Sequence, residues 1–156
     1  FHIIIFWKSE GEWLAYPVGI GKLQSPTKEG KLRIVSKVIN PSWRPQEWLL
    51  EKPPREPVKP YYKDKSNPLG TRFMGLSWED YGIHGTKEPL RIGRNVSLGC
   101  TRLQIPDVEE LFPYVPLGCK VLIKSSSIAP ETAELFSNWW GVYDAVSLIG
   151  RISKKD

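Results

Sequence analysis

Only two histidines, two cysteines and one methionine occur among these 156 residues. No His, Cys and carboxylate cluster has metal-ligand spacing, so neither a metal nor an organic cofactor is expected. Two cysteines make a poor disulfide framework for a chain of this length. A Cys100–Cys119 bridge stays open in principle, and the redox compartment stays unassigned. Long apolar runs are also missing: none approaches the roughly 20 residues that span a bilayer as a helix. The longest, Phe1 to Trp7, carries His2 and has the length of a strand. No repeat or low-complexity block is visible. Charge of one sign is not concentrated either. The net +5 comes from 22 Lys and Arg scattered among 17 Asp and Glu, so no nucleic-acid partner is expected. Such a surface suits any anionic polymer, a carboxylate-rich cell wall included.

The chain has the size of one domain that buries roughly two-thirds of its unfolded surface. Its hydrophobic content of 40% and charged content of 25% are those of soluble globular proteins. It begins at Phe1 inside an apolar run and without Met, which leaves room for a removed leader or anchor that the sequence itself does not show. Phe1 to Trp7 and Glu12 to Gly19 read as a hairpin turning at Ser9-Glu10-Gly11. His2 alternates with apolar residues and reads as a strand-face residue. Lys31 to Asn40 alternates like a half-buried strand. Pro41 to Pro68 holds seven of the fourteen prolines with Trp43, Trp48, Tyr61 and Tyr62. It can be neither a central strand nor a long helix, and is either a wall or lid of a cleft or a surface insertion. Thr71 to Leu76, Gly82 to His84 and Lys120 to Lys124 read as strands, and Lys87 to Asn95 as a loop. Pro106 to Phe112 reads as a short helix, with proline and acids in its first turn and Pro113 as its stop. From Ala133 to Ile149 apolar residues recur at three- and four-residue steps. An amphipathic helix over Pro130 to Ile149 is therefore expected, packed on its own domain or serving a partner or membrane surface.

The chemistry concentrates in Gly82-Ile83-His84-Gly85-Thr86 and Ser97-Leu98-Gly99-Cys100-Thr101-Arg102, with sixteen residues from the imidazole to the thiol. A free cysteine is usually a small buried hydrophobe. Here Gly99 lets backbone approach a ligand, and successive N–H groups of such a turn can face a developing oxyanion, each contributing about 3 kcal/mol. An isolated thiol is only a few per cent ionised at neutral pH. A protonated imidazole beside Cys100 would lower its pKa by about two units. His84 is the natural partner.

These segments, with Ile92-Gly93, resemble the signature of the YkuD-like L,D-transpeptidases. Tyr16 to Lys22, Ser25-Pro26-Thr27 and Gly30 are similar to the family's early hairpin and Pro-Thr turn. Asn40 to Trp43, Asn67 to Arg72, and Val115 to Gly118 leading into Val121-Leu122-Ile123 also look like family segments. The resemblance covers residues 1–124, a catalytic domain, and leaves 125–156 as a C-terminal tail. It implies a mainly β fold, a sandwich or flattened barrel of mixed sheets with a short helix after the nucleophile. It also implies cleavage of a peptidoglycan tetrapeptide stem before its terminal D-Ala, with the acyl group passing through a cysteine thioester to an acceptor amine. Carried over, Cys100 is the nucleophile, His84 the base, the Gly85 carbonyl orients His84, and N–H groups at Gly99 and Cys100 form the oxyanion hole. Arg102 meets a substrate carboxylate or forms an ion pair within the domain. Ser97 either binds substrate or, more in keeping with its chemistry, holds the turn.

One residue departs from the pattern: Leu98 stands where many members have His, which removes a polar contact near the cleft. Cys119 is read as packing. The resemblance further implies peptidoglycan stem peptides as partners, a monomer with no stable protein partner, and a location outside the cytoplasmic membrane. Two rivals remain: an L,D-carboxypeptidase or endopeptidase using the same nucleophile, and an inactive wall-binding module.

Overall fold

The computed structural model describes residues 2–9, 12–45, 56–127 and 146–151; for Trp7, Ser9, 125–127 and 146–151 it describes the backbone. The chain is mainly β, arranged as a curled mixed sheet. Its strands are β1 (His2–Ser9), β2 (Glu12–Pro17), β3 (Ile20–Gly21), β4 (Gly30–Ile39) and β5 (Arg72–Leu76). They continue with β6 (Gly82–His84), β7 (Asn95–Ser97), β8 (Thr101–Arg102), β9 (Lys120–Ser127) and β10 (Val146–Arg151). Eight strands form one sheet in the order β2-β1-β10-β9-β4-β5-β6-β8, and β3 pairs with β7. The β9–β10, β6–β8 and β3–β7 pairs are parallel and the other ladders antiparallel.

The core gathers where strand alternation meets one helix. Leu32 and Ile34 of β4 point inward while their neighbours stay outside, as a period of two requires. They join Ile4, Phe6, Met74, Ile83 and Val121. The helix α1 (Ile105–Leu111) starts from an extended Gln104, takes Pro106 and Asp107 in its first turn, and buries Val108 and Leu111 three residues apart. Leu103, entirely buried, follows β8 into that helix. Cys119 is likewise buried in this core, and neither Cys100 nor Cys119 is in a disulfide. The possible bridge is thereby ruled out.

The C-terminal reading needs correction. Of the helix expected over Pro130 to Ile149, residues 130–145 lie outside the described residues. Val146 to Ile149 belongs to β10, an extended strand. It pairs antiparallel with β1 and parallel with β9, filling the gap between them. Val146, Leu148 and Ile149 satisfy both helical and strand spacing. What decides is the two flanking edges, whose backbone donors and acceptors need partners.

The proline-rich stretch is tied in at its described ends. Trp43 and Val58 exchange backbone hydrogen bonds at 2.9 and 2.7 Å. Asn67, with no exposed surface, donates through Nδ2 to the carbonyls of Pro41 and Lys59 and accepts from the Leu69 N–H, each at 2.9 Å. That side chain fixes the segment entering β5. Residues 46–55, including Trp48, lie outside the described residues.

Candidate active site

Strand register brings the thiol and the imidazole to one face. In the parallel β6–β8 pair, Ile83 lies opposite Thr101 and His84 opposite Arg102. Ile83 and Thr101 are buried toward the core, so His84 and Arg102 share the other face. One step back along the same register sets Cys100 beside Gly82, on the face of His84 and Arg102. The sixteen-residue separation in sequence thus becomes a two-residue offset between neighbouring strands.

His84 is held tightly. Its ring is 3% exposed and stacks on Phe73, its antiparallel partner in β5, with centroids 6.0 Å apart. Phe73 has room because Gly82 lies against its ring: a Cβ there would come within 2.6 Å of it. His84 Nδ1 lies 2.6 Å from the Gly85 carbonyl. A carbonyl can only accept, so Nδ1 carries the proton and Nε2 keeps its lone pair. Behind this peptide runs Gly70, at φ +67, so close that a Cβ on it would approach Gly85 Cα to 2.9 Å. The Asn67–Gly70 segment thereby backs the peptide that orients the His84 ring.

Ser97 and Thr27 lock the turn that carries Cys100. Ser97 Oγ donates to the Cys100 carbonyl at 2.5 Å and accepts from the Gly99 N–H at 3.1 Å. Ser97 is buried, and its hydroxyl both donates and accepts within the turn, in keeping with a turn-holding role. Thr27 Oγ1 donates to the Gly99 carbonyl at 2.8 Å and accepts from the Gly21 N–H at 2.9 Å. Gly99 sits at φ +124 with Tyr81 packed where a side chain would be. Its N–H, expected to face an oxyanion, donates here to Ser97 Oγ. The Cys100 N–H is the candidate donor that remains of the two.

The resting thiol is not bonded to His84. Cys100 Sγ donates to the Asp80 carbonyl at 3.5 Å. Burial pushes the thiol pKa up and the Asp80 carboxylate adds to this, while the Gly82 N–H and Arg102 oppose it. Burial is also the main force lowering His84 to about 4; Arg102 lowers it further and the Gly85 carbonyl opposes. Both groups are therefore neutral near pH 7. Burial thus works against the imidazolium expected to ionise the thiol, and His84 is not among the groups that shift Cys100.

Arg102 meets Glu88 Oε2 at 3.5 Å, an ion pair within the domain. Leu98 is exposed at the lip of the turn. Phe73, Asp80, Tyr81, Glu88 and the bond from Thr27 escaped the reading of the sequence. Thr27 alone carried a signal, through its place in the Pro-Thr turn.

The family model of the L,D-transpeptidase catalytic domain matches residues 2–123. A protein of Fuscovulum blasticum named as an L,D-transpeptidase in the ATP synthase subunits region is 37% identical over 119 residues. The match covers 76% of this chain and 62% of that protein. YkuD of Bacillus subtilis, also named as an L,D-transpeptidase, is 33% identical over 108 residues, covering 69% of this chain and 51% of its own length. Matches thus span about half to three-fifths of these relatives. Among solved structures, L,D-transpeptidase 3 of Mycobacterium tuberculosis in complex with a faropenem-derived adduct superposes with a TM-score of 0.58. It is 20% identical, with 74% of this chain and 46% of that one covered. At that identity the likeness concerns the fold. Register, motif order and family match agree, and the chain belongs to the L,D-transpeptidase catalytic domain family.

Proposed function

We propose that this chain is the catalytic part of a peptidoglycan L,D-transpeptidase working outside the cytoplasmic membrane, with Cys100 as nucleophile and His84 as general base. One observation carries the reading: the 2.6 Å bond from His84 Nδ1 to the Gly85 carbonyl, which leaves the Nε2 lone pair to accept a proton on the face that Cys100 shares. A backbone carbonyl here takes the orienting role that a carboxylate has in the Ser-His-Asp triad.

With both groups neutral, attack is a general-base step. The Cys100 side chain turns from the Asp80 carbonyl toward His84 and its proton passes to Nε2. Sγ bonds to the carbonyl carbon that precedes the terminal D-Ala of a tetrapeptide stem. The Cys100 N–H stabilises the oxyanion, worth roughly 3 kcal/mol in comparable sites. The C–N bond then breaks, and His84 returns the proton to the departing amine. An acceptor amine attacks the thioester, gives a proton to His84, and the thiolate leaves and recovers it. Arg102, opposite His84 in the register, receives a carboxylate of the bound peptide, for which its guanidinium offers paired donors.

Intact-mass spectrometry after mixing with a tetrapeptide stem tests this. An acyl adduct on the native chain and none on Cys100→Ala is the expected result. Adding a D-amino acid then separates the outcomes. Exchange product means transfer, tripeptide alone means an L,D-carboxypeptidase, and no adduct under any condition means a wall-binding module without catalysis.

A further inference from the structure

A charged cluster is built around Arg102, the residue opposite His84 in the strand register. The Glu88 carboxylate spans two guanidiniums: Oε2 meets Arg102 Nη1 at 3.5 Å and Oε1 meets Arg91 Nη1 at 3.4 Å. Its backbone is pinned on both sides. The Glu88 N–H donates to Thr86 Oγ1 at 3.0 Å, and its carbonyl accepts from the Arg91 N–H at 3.0 Å. The strand that delivers His84 therefore turns back within four residues and presents a carboxylate to the arginine opposite that histidine. The Arg102 side chain is 17% exposed, and its Nε is buried without a hydrogen-bond partner. Among the described residues, Glu88 is the carboxylate in ion-pair range of Arg102.

We propose that Glu88 is a positioning residue. It anchors one edge of the Arg102 guanidinium, so that the remaining donors face a carboxylate on the bound peptide. The assignment rests on the reading of Arg102 given under Proposed function. A single contact at 3.5 Å is long for a charge-assisted bond, which suits an anchor that lets the guanidinium adjust as a peptide carboxylate arrives. Loss of the anchor then weakens recognition of that carboxylate without touching the groups that move protons.

The test uses two donors, a tetrapeptide stem with a free terminal carboxylate and the same stem as its carboxamide. Binding of each is measured by calorimetry on Cys100→Ala, alone and combined with Glu88→Gln or Glu88→Asp. Glu88→Gln is expected to weaken the acid donor about tenfold and leave the amide donor unchanged, and Glu88→Asp to recover most of the loss. With Cys100 present, Glu88→Gln is expected to raise KM for the acid donor by a similar factor, with kcat changed less than about twofold. A Glu88→Gln effect equal for both donors, or no effect on either, overturns this assignment and leaves the proposed function standing. Failure of either donor to bind any variant overturns the assignment and the reading beneath it.

Discussion

A buried imidazole lowered to about pKa 4 makes the stability of this protein depend on pH in a direction that can be calculated. An unfolded chain protonates His84 near pH 6.5, whereas the folded chain resists protonation down to about 4. Between those values the unfolded state binds the extra proton, so stability falls as pH falls. The contribution is complete above about pH 6.5 and wholly lost by about pH 4. The gap of about 2.5 units corresponds to about 3 kcal/mol, of which about 2.5 is lost between pH 7.5 and 4.5. That is a large part of the roughly 5–15 kcal/mol that holds a domain together. Guanidinium denaturation of the native chain and of His84→Asn at both pH values isolates the term. Asparagine keeps an N–H for the Gly85 carbonyl and does not titrate, and His2 is present in both proteins. The stability advantage of the native chain over the variant should shrink by about 2.5 kcal/mol on acidification. An advantage that stays constant, or grows, refutes the argument that burial governs His84.

Asp80→Asn removes the carboxylate that helps hold the Cys100 thiol protonated. Asparagine tolerates the left-handed backbone seen there (φ +64). Iodoacetamide alkylation of Cys100 at pH 7 should then run about two- to fivefold faster, with the pH profile moved toward acid; an unchanged profile would remove Asp80 from the causes. Gly99→Ala meets a φ of +124 and a Tyr81 ring carbon 2.8 Å from the new Cβ. It should cost roughly 1–3 kcal/mol in denaturation and slow acylation by an order of magnitude or more. Acylation at the native rate despite that loss would mean that the turn serves folding alone.

How much of this was legible depended on where local pattern and tertiary context agreed. Gly82–His84 is bounded as expected, and α1 runs Ile105–Leu111 where Pro106 to Phe112 was expected. Glycine and proline punctuate both segments, and few other residues compete. Residues 146–149 carried a pattern that helix and strand read alike, and only the open edges of β1 and β9 decide between them. At the site, Cys100 and the His84–Gly85 pair belong to one short motif each. The rest is a product of register. Phe73 reaches His84 because β5 runs antiparallel to β6, and Tyr81 covers Gly99 because a glycine there admits it. Asp80 adopts a glycine-like backbone with no glycine to announce it. The charge states have a related source: the His84 and Cys100 motifs were visible in the sequence, whereas the burial that shifts both groups was not.

The position of β10 means that the unit recognised by family resemblance is shorter than the unit that closes its own sheet. A protein trimmed to residues 2–123 would keep the reactive turn but part the β1–β2 hairpin from β9, baring two rows of hydrogen-bonding groups at once. Aggregation of so shortened a chain would then report on a missing tail and leave the chemistry unjudged.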